Sequence, residues 1–199
     1  MKLSFRLLFS FLLLNCFATH AQEMQFLGIP FGSDIITFSK QLIGRGFEFI
    51  EMTSSGDGSY SQEKLKGDFW KIKDCEIQLC SYTEKQYTTQ KSFPVSEARV
   101  TMPTGGINGM NSHNLRVQQE EAGRIFSELV NDLYSKYGSV SKETRSEFGD
   151  YTIEWHRSNG NIIVMLLCTN TIIVKYVSSI RLRQLEEQKR FKGNGKNDL

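Results

Sequence analysis

The densest alternation of apolar and polar positions runs over residues 151–177, YTIEWHRSNGNIIVMLLCTNTIIVKYV, and predicts three antiparallel strands. Asn159-Gly160 marks the first turn, because both residues tolerate the positive φ of a type I′ hairpin; centring the turn there pairs Trp155 with Val164 and Ile153 with Leu166. Thr152, Glu154 and His156 then share the opposite face. A three-residue loop, Thr169-Asn170-Thr171, with Asn170 left-handed, brings Ile172, Val174 and Tyr176 onto the Trp155 face and sends Lys175 outward, near Glu154. A two-residue loop would drive the Lys175 ammonium toward the core, which is costly for an unpaired charge.

Upstream the pattern changes period. After an extended lead-in over residues 24–31, the spacing of Ile35, Phe38, Leu42 and Ile43 predicts a helix with Ser33 as N-cap, Asp34 complementing its positive end, and Gly44 and Gly46 as the stop. Residues 47–52 alternate like a strand, and residues 60–72 read as a long one. A tight turn at Lys73-Asp74 would pair Ile72 with Cys75 and Trp70 with Ile77 on one face, and bring Lys71 and Glu76 together as an ion pair on the other. Residues 84–92 form a polar excursion before a strand over 95–102 with Ala98, Val100 and Met102 inward. Ala122, Ile125, Phe126, Leu129, Leu133 and Tyr137 form the apolar stripe of a helix over 115–137 that closes at Gly138. A short strand is expected within 139–144, and a charged helix over 180–191 with a Glu186–Arg190 pair.

These elements predict an α+β fold: a tandem α-β-β-β-β repeat forming an antiparallel sheet, two helices packed on one face, and an extra C-terminal helix. The expected divisions are 1–21 as a leader, 22–103 as the first repeat, 104–114 as a Gly/Asn-rich connector, 115–179 as the second repeat, and 180–199 as the charged helix and tail. Each repeat holds one tryptophan, Trp70 or Trp155, on the strand before its hairpin, and both are expected to be buried.

Phe26-Leu27-Gly28-Ile29-Pro30, then Phe38, Leu42 and Gly46-Phe47, then Leu65-Lys66-Gly67 with Phe69, then Tyr137-Gly138, resemble a family of uncharacterised exported proteins of gram-negative gut bacteria. The resemblance covers most of the chain beyond the leader and implies export, but no activity. The element order is also similar to the tandem repeats of beta-lactamase inhibitor proteins, a likeness of topology that carries no function.

The N-terminus changes the picture most. Lys2 and Arg6, the apolar run LLFSFLLL, and the small residues of Thr19-His20-Ala21 predict a signal peptide cleaved after Ala21. Cys16 would be the acylated residue of a lipoprotein, a less favoured reading because Asn15 before it is larger than usual. Cleavage would leave 178 of the 199 residues and, by removing Lys2 and Arg6, take the formal charge from +2 to zero. A neutral chain offers no electrostatic footprint for nucleic acid. No later stretch is apolar enough to span a membrane.

Candidate chemistry is sparse. Cys75, Cys80 and Cys168 are an odd set for an oxidising compartment; on one strand Cys75 and Cys80 would face opposite ways and not bridge. With His156 they are zinc-type ligands without a paired zinc spacing, and Asp57 sits in a Gly-Asp-Gly turn that lacks a calcium loop's repeated acids. His156 with Cys168 is the one nucleophile–base pair to consider, and the predicted register puts them on opposite faces; His113 lies in a Gly/Asn loop. The Gly105-Gly106-Ile107-Asn108-Gly109 segment lacks a phosphate-binding spacing, and Glu48 with Glu51 or Asp150 with Glu154 do not form a glycosidase pair. The tail, with Arg181, Arg183, Lys189, Arg190, Lys192 and Lys196 against Glu186, Glu187 and Asp198, reads as a solvated helix. No catalytic, cofactor or metal residue is assigned. The expectation is a non-catalytic exported envelope protein, periplasmic or secreted, that binds a protein or polymer partner, with an envelope hydrolase using His156 or His113 as the alternative.

Overall fold

A computed structural model describes residues 24–56, 59–82, 94–103 and 112–194. The expected leader with Ala21 and Cys16, Asp57, the polar excursion, most of the Gly/Asn-rich connector and the last five residues lie outside this set.

The chain is α+β. A two-stranded hairpin, β1 (Gln25–Phe26) and β2 (Ile29–Pro30), precedes helix α1 (Ile35–Ile43). Strands β3 (Glu48–Ser54), β4 (Tyr60–Phe69), β5 (Ile72–Tyr82) and β6 (Val95–Met102) follow, then helix α2 (Ser112–Tyr137). Strands β7 (Lys142–Arg145), β8 (Tyr151–Arg157), β9 (Gly160–Leu166) and β10 (Ile172–Ser178) lead to helix α3 (Ser179–Asn194). Eight strands form one antiparallel sheet in the order β3-β4-β5-β6-β10-β9-β8-β7. A helix followed by four strands thus occurs twice, and the last strand of each set meets its counterpart at the sheet centre, Val100 opposite Val174.

Strand alternation gives the sheet two unlike faces. The inner face carries Leu65, Ile77, Leu79, Ala98, Val100, Met102, Ile153, Trp155, Ile162, Val164, Ile172, Val174 and Tyr176, all buried in one cluster. Helix α1 covers its β3–β5 side through Ile35, Phe38 and Leu42, and α2 covers the other side through Ile125, Phe126, Leu129 and Leu133. Helix α3 contacts β6, β9 and β10, and its Arg181 guanidinium lies 3.3 Å from the centroid of the Tyr82 ring on the outer face.

Local chemistry sets the element ends. Asp34, not Ser33, is the N-cap of α1: its carboxylate accepts from the amides of Ile36 and Thr37, while the Ser33 hydroxyl turns back to the Pro30 carbonyl. Ile43 is exposed rather than on the buried stripe. Helix α2 starts at Ser112, so His113 falls in its first turn rather than in a loop; its side chain is outside the described set.

Three hairpin registers differ from expectation. In β9–β10, Leu166 pairs with Ile172 and the Leu167 amide donates to the Thr171 carbonyl, so the three-residue loop is Cys168-Thr169-Asn170 rather than Thr169-Asn170-Thr171. Residue Trp155 pairs with Ile162 and Ile153 with Val164, so the turn is Ser158-Asn159. The slide of two residues leaves every side chain on its predicted face. Gly160 is needed at the sheet instead: a Cβ there would run into the Val177 carbonyl and the Met24 sulfur. The β4–β5 turn is Trp70-Lys71, with Phe69 opposite Ile72, not Lys73-Asp74. Keeping Trp70 inward on an unbroken strand would have turned Lys64 and Lys66 inward with it. The observed register buries Leu65 and Phe69 and leaves Lys64 paired with Glu51 and Lys66 with Asp74 at 2.6 and 2.9 Å. A bulge between Gly67 and Phe69 and a left-handed Asp74 (φ 57°) absorb the offset. Lys71 therefore meets Glu128 of α2, at 3.3 Å, and not Glu76. Lys175 does point outward, but its carboxylate partner is Glu97 at 3.6 Å rather than Glu154.

Candidate functional site

Trp155 is fully buried, and its indole N–H donates to the Gly138 carbonyl at 3.0 Å, fastening the end of α2 to the sheet. Trp70 has a different fate. It is only half-buried, occupies a turn at φ 54°, and donates its indole N–H to Asp132 of α2 at 2.7 Å. A bulky residue in the left-handed region is strained by about 1–3 kcal/mol and persists only where its surroundings hold it. Here Asp132 holds the ring edge and Lys71 covers the ring at 4.5 Å.

The strained turn forms one wall of a cleft of about 750 Å³. Four parts of the chain converge on it. The β1–β2 hairpin brings Met24, Gln25, Leu27 and Gly28, with Leu27 also at positive φ (50°). The β4–β5 turn brings Phe69 and Trp70. Helix α2 contributes Leu129, Asp132, Leu133, Lys136 and Tyr137, whose three- and four-residue spacing puts them on one helical face. The β8–β9 turn brings Arg157, Ser158 and Asn159, above Ile162 and Tyr176 on the sheet. Beneath the hairpin, Phe26 lies 6.0 Å from Phe69 and 5.3 Å from Tyr176, so the β1–β2 wall is fastened to the core by rings.

The cleft is mixed in polarity. Its ionisable side chains are Asp132, Lys136, Arg157 and two tyrosines. Burial pushes the Tyr176 hydroxyl well above the usual phenol range, with Tyr137 beside it adding to the shift, so Tyr176 stays neutral. Lys136 lies over the Tyr137 ring at 5.1 Å, and Arg157 Nη1 donates to the Tyr137 carbonyl at 2.9 Å. Among the described residues neither cation has a carboxylate partner.

The histidine and cysteines singled out from the sequence lie elsewhere. His156 is on the outer face, its Nε2 2.7 Å from Glu154, with Lys142 3.6 Å from the same carboxylate. The Ser141 hydroxyl accepts from the His156 backbone amide at 2.8 Å. Cys168 is exposed in the loop after β9, at the other end of the β8–β9 hairpin, where its amide donates to Asp150. Cys75 faces the inner core and Cys80 the outer side of β5; all three thiols are free. Burial pushes the Cys75 thiol up to about 11 and raises that of Cys80, so neither is a ready nucleophile. Glu48 and Glu51 are exposed on edge strand β3, and Glu51 is paired with Lys64. Among the described residues no group of three His, Cys, Asp or Glu side chains converges as a metal site would require.

Trp70 as a cleft residue was not legible, because nothing in Phe69-Trp70-Lys71 advertises a turn; only the cost of turning Lys64 and Lys66 inward pointed that way. Asp132, Lys136 and Tyr137 could have been noticed as a polar continuation of the α2 stripe. Comparison with protein-family models, curated proteins and solved structures finds no match.

Proposed function

We propose that the protein is a non-catalytic exported protein of the cell envelope, periplasmic or secreted, that binds a protein or polymer partner in the cleft between α2, the β1–β2 hairpin and the two sheet turns. The observation that carries this reading is the cleft wall itself. A tryptophan held in a strained turn, aliphatic side chains and two cations without acid partners among the described residues form a surface for contact rather than proton transfer. The leader-like N-terminus, the resemblance to exported proteins and the matching helix-then-four-strand order of the halves, read as a duplication, support the cellular setting and the architecture of such a binder.

Position-specific photocrosslinking in the native cell envelope tests the reading. A crosslinking side chain at Gln25 or Asn159, on the cleft rim, should give one discrete adduct, while one at Thr152, on the outer face, should give none. Adducts from Thr152 alone, or none from the rim, would count against the cleft.

A further inference from the structure

Resting on the binding reading above, we propose that the cleft's ligand is an amphipathic anion: a flat or branched apolar body bearing one carboxylate-like group. Three observations lead there. Trp70, Leu129, Leu133 and Ile162 share the lining, and at about 750 Å³ the space suits a compact body. Lys136 and Arg157 approach from different elements, helix α2 and the β8–β9 turn, so an anion between them would be held from two sides. Among the described residues Asp132 is the one acid lining the cleft; its Oδ2 accepts from the Trp70 indole N–H, and the formal charge of this lining is one positive.

Lys64, Lys66, Lys71 and Arg124 each have a carboxylate within 3.3 Å, whereas Arg45, beside the cleft, has none among the described residues and is held by the Leu27 carbonyl. Lys136 and Arg157 instead rest against Tyr137, one over its ring and one on its carbonyl. That carbonyl uses Arg157 Nη1 and leaves the remaining guanidinium N–H groups for a planar anion, which the fork geometry matches.

A pair of dyes with the same aromatic core isolates the claim. 8-Anilinonaphthalene-1-sulfonate carries the anion, and N-phenyl-1-naphthylamine lacks it. The first should bind the folded protein at one saturable site, at least about tenfold more tightly than the second. Lys136→Met and Arg157→Gln should each weaken the anionic dye about tenfold and leave the neutral dye unchanged, while Arg157→Lys, which keeps the charge and loses the fork, should recover only part of the affinity. Melting of each variant alongside wild type identifies any that fail to fold; Lys136, an exposed residue, provides the fold-neutral arm.

Competition then separates sources. Displacement by N-acetyl-Leu-Phe with a free carboxylate, but not by its amide, assigns a peptide terminus. Displacement by laurate but not by the dipeptide would count against a flat or branched body. Equal affinity for the two dyes, or an anionic dye indifferent to both Lys136→Met and Arg157→Gln, would overturn the proposal. Such a failure leaves rim crosslinking intact, whereas loss of the rim adduct removes the binding reading itself.

Discussion

Trp70 and Asp132, 62 residues apart in sequence, are joined by an indole N–H···carboxylate bond of 2.7 Å. The bond ties the β4–β5 turn to the C-terminal third of α2, and Lys71–Glu128 repeats the attachment one turn earlier along the helix. A charge-assisted hydrogen bond contributes about 1.5–3 kcal/mol when shielded and less at a partly exposed site like this one. Asp132→Ala should therefore cost about 1 kcal/mol in stability while releasing the Trp70 ring into solvent. The readout is tryptophan emission: a red shift in Asp132→Ala and none in the neighbouring surface variant Asn131→Ala. An unshifted spectrum would mean that the turn holds Trp70 without the helix.

The core prediction concerns neighbours on β8. Trp155→Ala removes a fully buried ring and leaves a cavity among Ile153, Ile162 and Val164, at a cost of about 3–5 kcal/mol. His156→Ala, on an exposed side chain, should stay within about 0.5 kcal/mol. Chemical denaturation of the two variants compares them directly. The reverse order would place His156 inward and reopen a catalytic reading with Cys168.

Much of this contrast is legible in the residue pattern alone. The period-two alternation at Ile153, Trp155, Ile162, Val164, Ile172, Val174 and Tyr176 assigns the inner face. A turn misplaced by one residue at each end does not disturb that assignment, because a slide of two restores the parity. The left-handed Asn170 and the α2 stripe are equally legible. The β4–β5 turn is not, because its central residues, Trp70 and Lys71, have no turn propensity and are held by partners on α2 that local sequence cannot reveal. The cleft is illegible for the same reason: its walls come from four separated stretches, and only the folded chain brings Gln25, Trp70, Lys136 and Arg157 together.

Glu63 supplies a pH prediction. It is 3% exposed on the inner face, one carboxylate oxygen has no hydrogen-bond partner, and burial raises its pKa above the usual glutamate range despite the Ser39 hydroxyl beside it. The folded state then holds a proton that the unfolded chain releases. Stability attributable to this group is full below the ordinary glutamate pKa and falls as pH rises through the raised one. Glu63→Gln should raise the melting temperature at pH 8, by about 2–4 °C for each kcal/mol recovered, and change it little at pH 4. An equal effect at both pH values would show that Glu63 does not titrate in this way.

Gly67 tests the aromatic lid on β4. The Phe47 ring lies where a Cβ at residue 67 would stand, so Gly67→Ala must displace it. The overlap is with a buried ring, and the expected cost is about 1–3 kcal/mol. Phe47→Leu in the same background should recover part of the loss; a neutral Gly67→Ala would contradict the packing.

The cysteines give a further measure of the fold. In the native protein Cys168 alone should react with an aromatic disulfide reagent, and Cys75 and Cys80 should join it only on unfolding, for three thiols in the described chain. A mapped Cys75–Cys80 disulfide would break the β5 register, which sends them to opposite faces.

The central claim is that Trp70 lines a binding cleft while Trp155 is sealed in the core. These are the only two tryptophans in the chain, so the indole region of a nitrogen–proton correlation spectrum should hold two signals. Titration with the partner recovered by rim crosslinking should move or broaden the Trp70 indole signal, assigned through Trp70→Phe, and leave the Trp155 signal in place. Saturable movement of Trp70 alone is the predicted result. A partner that binds with Trp70 unmoved, or that shifts both signals together, would contradict the account.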